Sequence, residues 1–90
     1  MAKRGKLEII RDILLIIREH KNSIKITPLI RKSNLSSSSF REYYNEMITK
    51  CFVIERASGE NGKCVFVTEK GFRFLNKYQT IVSFIDEFEL

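Results

Sequence analysis

The order of signals from Ser36 to Gly71 restricts the fold of this chain more than any other stretch. Ser36 is a helix-capping residue, and Ser37, Ser38 and Ser39 fill the first turn of the helical segment that follows. Val53-Ile54-Glu55-Arg56 and Cys64-Val65-Phe66-Val67 then have the composition of two strands. Between them, residues 57–63 carry the turn formers Gly59, Asn61 and Gly62. Thr68 caps a last helix beginning at Glu69. Helix, β-ribbon and helix in that order, inside a chain of 90 residues, leave room for one small domain and one extra element.

The flanking segments complete an α+β, mainly α, pattern. Leu7, Ile10, Ile13, Leu14 and Ile17 recur at helical spacing, with Glu8, Arg11, Arg18 and Glu19 on the other side, which predicts a helix over 6–20. Ile9 and Ile16 widen its apolar stripe, so a second surface is expected to cover that edge. Thr27-Pro28 predicts a short helix over 28–32, buried through Leu29 and Ile30, and Ser33-Asn34-Leu35 makes the next turn. The serine-led helix runs to about Lys50. Its inner face gathers Phe40, Tyr43, Tyr44, Met47 and Ile48; its outer face presents Ser38, Glu42, Asn45 and Thr49, flanked by Ser37 and Arg41.

The last helix extends to about Phe88, and Leu75, Tyr78, Val82 and Ile85 follow coiled-coil spacing, with Ile81 and Phe88 beside them. At ~1.5 Å per residue such a helix reaches about 30 Å, past the body of so small a domain. Its distal half therefore calls for a partner helix, and the six residues just named are the candidate dimer contacts. On this reading residues 1–68 form the binding unit and 69–90 the dimerisation helix.

Charge narrows the function. The chain has 16 Lys and Arg against 11 Asp and Glu, net +5, yet Asp86, Glu87 and Glu89 all sit in the last five residues. Residues 1–85 thus hold the 16 basic groups against the remaining eight acidic ones. A basic body with an acidic tip suits a polyanion partner. Hydrophobic residues at 43% support a packed core, and no apolar run approaches the roughly 20 residues a membrane helix needs. The start, Met1-Ala2-Lys3-Arg4-Gly5-Lys6, leads into a segment broken by Glu8, Arg11 and Asp12, unlike a signal peptide, so a cytoplasmic location is expected. Cys51 and Cys64 lack a CxxC or a histidine companion; two thiols are the plain reading, a redox pair the rarer one, and no metal or cofactor is expected. His20 is the lone histidine, at a helix end. With no nucleophile–base pair and no phosphate loop, enzyme activity is not expected.

Three segments carry a family resemblance: Lys3-Arg4-Gly5-Lys6-Leu7-Glu8-Ile9-Ile10, Asn34-Leu35-Ser36, and Val67-Thr68-Glu69-Lys70-Gly71 with Phe74-Leu75. Over about residues 3 to 85 the chain resembles the archaeal winged helix-turn-helix transcriptional regulators. It is similar, too, to small basic archaeal DNA-binding proteins whose winged domain is dimerised by an antiparallel C-terminal coiled coil. The resemblance implies a winged helix-turn-helix with a two-stranded wing and a long C-terminal dimerisation helix, and a homodimer on double-stranded DNA. The family usually places Gly and Leu after its third helix. This chain has Cys51-Phe52, so a different exit is expected there.

The candidate DNA contacts are Ser37 and Ser38, whose small hydroxyls let phosphate approach a helix N-terminus, and Arg41 and Asn45, which can read guanine and adenine edges. Lys32 beside the turn and Arg56, Asn61 and Lys63 on the ribbon are candidate backbone or minor-groove contacts. Lys3, Arg4 and Lys6 form a basic arm that either adds phosphate contacts or only solubilises the terminus. Glu42 repels phosphate unless it pairs with an arginine or a cytosine amine. Tyr43 and Tyr44 have the phase of core residues rather than of a stacking platform for single strands. The leading reading is sequence-specific regulation of transcription. An architectural chromatin protein with little sequence preference, or a winged module that only binds protein, are the alternatives. Operator, effector and the sign of regulation are not encoded in any legible motif.

Overall fold

A computed structural model describes residues 4–57, 59 and 62–90. Four helices and three strands follow in the order α1 (Lys6–Glu19), β1 (Ile24–Lys25), α2 (Ile26–Ser33), α3 (Ser37–Thr49), β2 (Val53–Ala57), β3 (Lys63–Val67) and α4 (Glu69–Glu87). The mainly helical α+β architecture is as expected, with one addition. The two-stranded ribbon is extended by β1 into an antiparallel sheet of order β1-β3-β2, in which Ile24 pairs with Val65 and Lys25 with Cys64. Two residues are too short a run for alternation to reveal, so β1 exists through its partner rather than through its own sequence.

α1 lies at the centre. Ile9, Ile10, Ile13, Leu14 and Ile17 are buried along it and meet Leu29 of α2, Phe40 and Met47 of α3, Val53, Val65 and Val67 of the sheet, and Leu75 of α4. Two expectations for α1 are corrected. Ile9 and Ile16 need no separate cover, because Ile9 is buried and Ile16 half-buried within this one core. Leu7 is 53% exposed, since the first turn of α1 starts before the core does. Helical periodicity identifies an apolar stripe, but not how wide an arc the surrounding elements will cover.

The short helix starts earlier than its signal. Lys25 is the N-cap of α2 and Ile26 its first residue, so Thr27 is not the cap and Pro28 stands third. The placement costs nothing, because the first four N–H groups of a helix have no intrahelical partner for a proline to remove. At the other end Asn34 takes the left-handed conformation (φ 60°) and closes α2. Buried Ser33 fixes the turn there: its Oγ donates to Ile30 O at 2.6 Å and accepts from Leu35 N at 3.3 Å.

Two caps were legible and form as expected. Ser36 Oγ accepts from Ser39 N at 3.2 Å to begin α3, and Thr68 Oγ1 accepts from Gly71 N at 3.1 Å to begin α4. The exit of α3 departs from expectation. Cys51 occupies the left-handed region (φ 63°), as a glycine there would, at a cost of about 1–2 kcal/mol. Hydrogen bonds hold it in place: Phe52 N donates to Met47 O at 2.9 Å, and Thr68 Oγ1 donates to Cys51 O at 2.6 Å. Asn22, itself at φ 57°, clamps the sheet by accepting from Val67 N (2.7 Å) and donating to Val67 O (3.3 Å). Among the described residues no helix is long and apolar enough to cross a membrane.

Candidate nucleic-acid interface

The outer face of α3 is built by default. Phe40, Tyr44 and Met47 must be buried to close the core, and their helical phase turns Ser37, Ser38, Arg41, Glu42, Asn45 and Thr49 outward, where all are exposed. Tyr43 is half-buried, and Ile48, expected inside, sits at the rim with 36% exposure. Tyr44 is stacked on Phe40 at 5.3 Å and is therefore no platform for bases. The serine turn stays free of bulk, with Ser36 Oγ and Ser38 Oγ 3.4 Å apart beside the helix N-terminus. Arg41 and Asn45 make no hydrogen bond or ion pair among the described residues. Glu42 likewise has no partner there, so no neighbouring arginine neutralises it.

Across from α3 stands the ribbon. Val53 pairs with Val67, Glu55 with Val65, Arg56 with Cys64 and Ala57 with Lys63. Successive residues of a strand point to opposite faces. Val53, Glu55, Lys63, Val65 and Val67 therefore share the face toward α3, whereas Ile54, Arg56, Cys64 and Phe66 share the other. At the tip Gly59 (φ 61°) and Gly62 (φ 97°) take the left-handed bends that the turn requires.

Two open crevices, of about 330 and 290 Å³, share Ile26 and Glu55; the first runs between α2 and the ribbon, the second between α2, α3 and β2. One is lined by Lys25, Thr27, Pro28, Gly62 and Lys63, the other by Ile30, Phe40, Arg41, Tyr44 and Asn45. At their common wall Tyr44 Oη donates to Glu55 Oε2 at 2.5 Å, and Lys63 Nζ lies 3.9 Å from Glu55 Oε1. Burial, and then the bond to Glu55, push the Tyr44 phenol well above its usual value, so it remains a donor.

The structure thus gathers Ser37, Ser38, Arg41 and Asn45 on one helix face, with Lys63 in the adjoining crevice, beyond the Glu55 wall. Arg56 lies on the opposite face of the ribbon. Lys32 lines a separate hollow with Arg4, Asp12, Glu19 and Asn34, on the α1 side of the turn. Asn61 and Lys3 lie outside the described residues. The rest of the basic arm is committed to the fold: Arg4 donates to Asp12 Oδ2 and to Ser33 O, both at 3.0 Å, and Lys6 Nζ is 2.7 Å from Glu46 Oε2. That contact, reinforced by Lys50 at 3.3 Å, holds the Glu46 carboxyl below its usual value. Tyr44 and Glu55 are the residues that reading the sequence missed. The helical phase of Tyr44 marks its ring as core, and nothing in the sequence joins its hydroxyl to a strand residue eleven positions on.

On α4, Leu75 is buried in its own core at 7% exposure, so it offers little to a second chain; Gly71 and Leu75 close the domain rather than leave it. Tyr78 is half-buried under the Arg11 guanidinium, 5.0 Å from its ring centre, and Val82 is half-buried. Ile81, Ile85 and Phe88 stay exposed, as does Phe84, whose ring meets that of Phe88 at 4.9 Å. Leu7 joins them along a 360 Å³ groove with Tyr78, Ile81, Val82 and Ile85. Cys51 is exposed at the exit of α3 and Cys64 is buried in β3. The register sets Val53 opposite Val67, three residues and so about 10 Å along β3 from Cys64. Cys51 lies beyond that point, outside disulfide reach. His20 is exposed, its Nδ1 2.9 Å from Ile16 O. No three His, Cys, Asp or Glu side chains gather as a metal site among the described residues.

The family model described as winged helix-turn-helix matches residues 3–85. None of the curated proteins matches the sequence. Among solved structures, the chain is similar to Sso10a-2, a DNA-binding protein from Sulfolobus solfataricus, with a TM-score of 0.74 and 20% identity, covering 96% of this chain and 86% of that one. It is similar also to F93 from STIV, a winged-helix DNA-binding protein, with a TM-score of 0.72 and 16% identity over 89% and 91% of the two chains. At these identities the likeness is one of fold.

Proposed function

Since the chain belongs to the winged helix-turn-helix family, we propose that it binds double-stranded DNA as a homodimer and regulates transcription from specific sites. The observation that carries this reading is the outer face of α3. A helix N-terminus of small serines is followed one turn on by Arg41 and two turns on by Asn45, neither spent on a hydrogen bond or ion pair among the described residues, with Lys63 of the wing in the adjoining crevice beyond Glu55. Serines suit close phosphate approach; Arg41 and Asn45 suit base edges; Lys63 suits the flanking backbone. The DNA-binding activity named for Sso10a-2 and F93 agrees with it.

The homodimer reading rests on α4, whose Ile81, Phe84, Ile85 and Phe88 are left exposed by the described residues. A second copy of the same helix covers them, residues 69–90 then serving the dimer and residues 1–68 the DNA. Two-fold symmetry places two copies of α3 in successive major-groove segments and favours a palindromic site.

The test is selection of bound duplexes from a random pool at near-physiological salt, followed by titration of selected and scrambled duplexes across salt. A palindromic consensus is expected, with Arg41→Ala weakening binding by about 1–3 kcal/mol and Lys63→Ala lowering the salt slope by about 1. Equal affinity for all duplexes at every salt identifies an architectural protein instead. No binding even in low salt, with a protein partner co-purifying, identifies an interaction module.

A further inference from the structure

We infer that Glu55 is a positioning residue for duplex binding, tying the wing to the recognition helix α3 and so fixing the distance between their groove contacts. The inference rests on the duplex-binding reading above and deepens it.

The β2 strand of the ribbon leaves the core as it runs outward. Val53 is buried, Ile54 half-buried, and Glu55, Arg56 and Ala57 are exposed. β3, by contrast, stays buried through Val65 and Cys64 and pairs with β1, so apolar packing holds β3 and the base of β2 but not the outer half of β2. A hydrogen bond from Tyr44 Oη to Glu55 Oε2, 2.5 Å long, links α3 to β2. It falls where the packing ends. Tyr44 is itself immobile, 8% exposed and stacked on Phe40, so the carboxylate is pinned to a fixed point of α3. The raised Tyr44 phenol keeps its proton, so the bond persists across the physiological range. Glu55 Oε1 faces Lys63 at 3.9 Å, which orients the wing's cation from the same carboxylate.

A carboxylate at this place is otherwise unfavourable. It lies in the crevice between α3 and the wing, and so beside any phosphate backbone crossing from one groove to the next. A neutral side chain would bind any polyanion more tightly. The charge is consistent with a residue kept for geometry, at the expense of sequence-independent attraction.

Two variants separate geometry from charge. Tyr44→Phe keeps the ring and the carboxylate but breaks the tie; Glu55→Gln keeps an acceptor for Tyr44 and removes the charge. Losing a charge-assisted hydrogen bond that holds a contact in place is expected to cut the selected-to-scrambled affinity ratio of Tyr44→Phe by roughly tenfold. Glu55→Gln is expected to keep the ratio within about twofold while tightening both duplexes alike, with a salt slope larger by about 1. In the free protein, amides of residues 55–57 and 63–65 should exchange with solvent about fivefold faster or more in Tyr44→Phe than in the parent. An unchanged ratio and unchanged exchange in Tyr44→Phe would overturn the inference while leaving duplex binding intact. A parent protein that binds no duplex, or all duplexes alike, sinks the premise and the inference with it, and the exchange rates still show whether the tie exists.

Discussion

Gly71→Ala tests the junction on which α3, the sheet and α4 converge. A Cβ at Gly71 would overlap Phe52 O and stand 2.7 Å from Val67 Cγ1. Neither neighbour can yield cheaply. Phe52 O is fixed by Thr68, accepting from its backbone N at 3.0 Å and sharing, at 3.2 Å, the Oγ1 proton that also goes to Cys51 O, while Val67 belongs to the central strand and is buried. Either α4 swings outward, opening the contact of Leu75 with the core, or the carbonyl turns and gives up a hydrogen bond. Overpacking costs about 1–3 kcal/mol and the lost bond about 1 more, so a destabilisation of roughly 2–4 kcal/mol is expected. For a domain of this size the melting temperature should fall by roughly 10–30 °C. Urea unfolding followed by circular dichroism measures it, at one fixed protein concentration because dimerisation would shift the midpoint. A variant within about 0.5 kcal/mol of the parent would falsify the close approach, since only a helix able to drift without loss could absorb the methyl group.

Cys51→Gly acts at the same junction with the opposite sign: relieving the left-handed strain should raise stability by about 0.5–1 kcal/mol, and an unchanged urea midpoint would show that the strain is absent. Ile81→Glu with Phe84→Glu changes two exposed positions, so circular dichroism should stay native while sedimentation equilibrium reports a monomer; a persistent dimer would place the contact elsewhere. Glu46 is held low in pKa first by Lys6 and then by Lys50. Its contribution is present above the unfolded carboxyl value and lost as pH falls through the lowered folded value. Glu46→Gln should therefore narrow its stability gap from the parent as pH drops from about 5 to 3, and a gap independent of pH would contradict the ion pair.

Local chemistry made some elements legible and others not. Ser36 and Thr68 each satisfy an N–H three residues away, so their caps depend on almost nothing outside their own turn. The ribbon followed from β-branched runs flanking glycines. β1 could not be seen, because Ile24 becomes a strand residue only by pairing with Val65, about forty positions on. The same pairing displaced the start of α2, as Lys25 ends the strand and caps the helix at once, overriding Thr27-Pro28. Leu7 and Ile9 show the limit of periodicity, which ranked both as apolar but not by distance from the core. Arg4 and Lys6 looked like a loose arm because their partners, Ser33 O and Glu46, are brought near only by the fold.

Charge behaves similarly. A net +5 identifies a class of partner, yet it points to no face, since the basic groups are spread over every helix. Several are already committed: Arg4 to Asp12, Lys6 and Lys50 to Glu46, Arg11 to Asp12 and the Tyr78 ring, Lys70 to the Phe52 ring. On the outer face of α3 itself Arg41 is the single cation among the described residues, beside the acidic Glu42. Attraction alone would therefore not seat this helix in a groove in preference to other surfaces of the molecule. On the proposed reading shape chooses the face, through the bare serine turn and the wing beside it, and discrimination among sequences would come from few contacts held at fixed separation. Such a site tolerates the loss of a distant lysine far better than a shift of the wing, because a dispersed field changes little when one charge is removed. A base-reading pair displaced by an ångström loses its hydrogen bonds altogether.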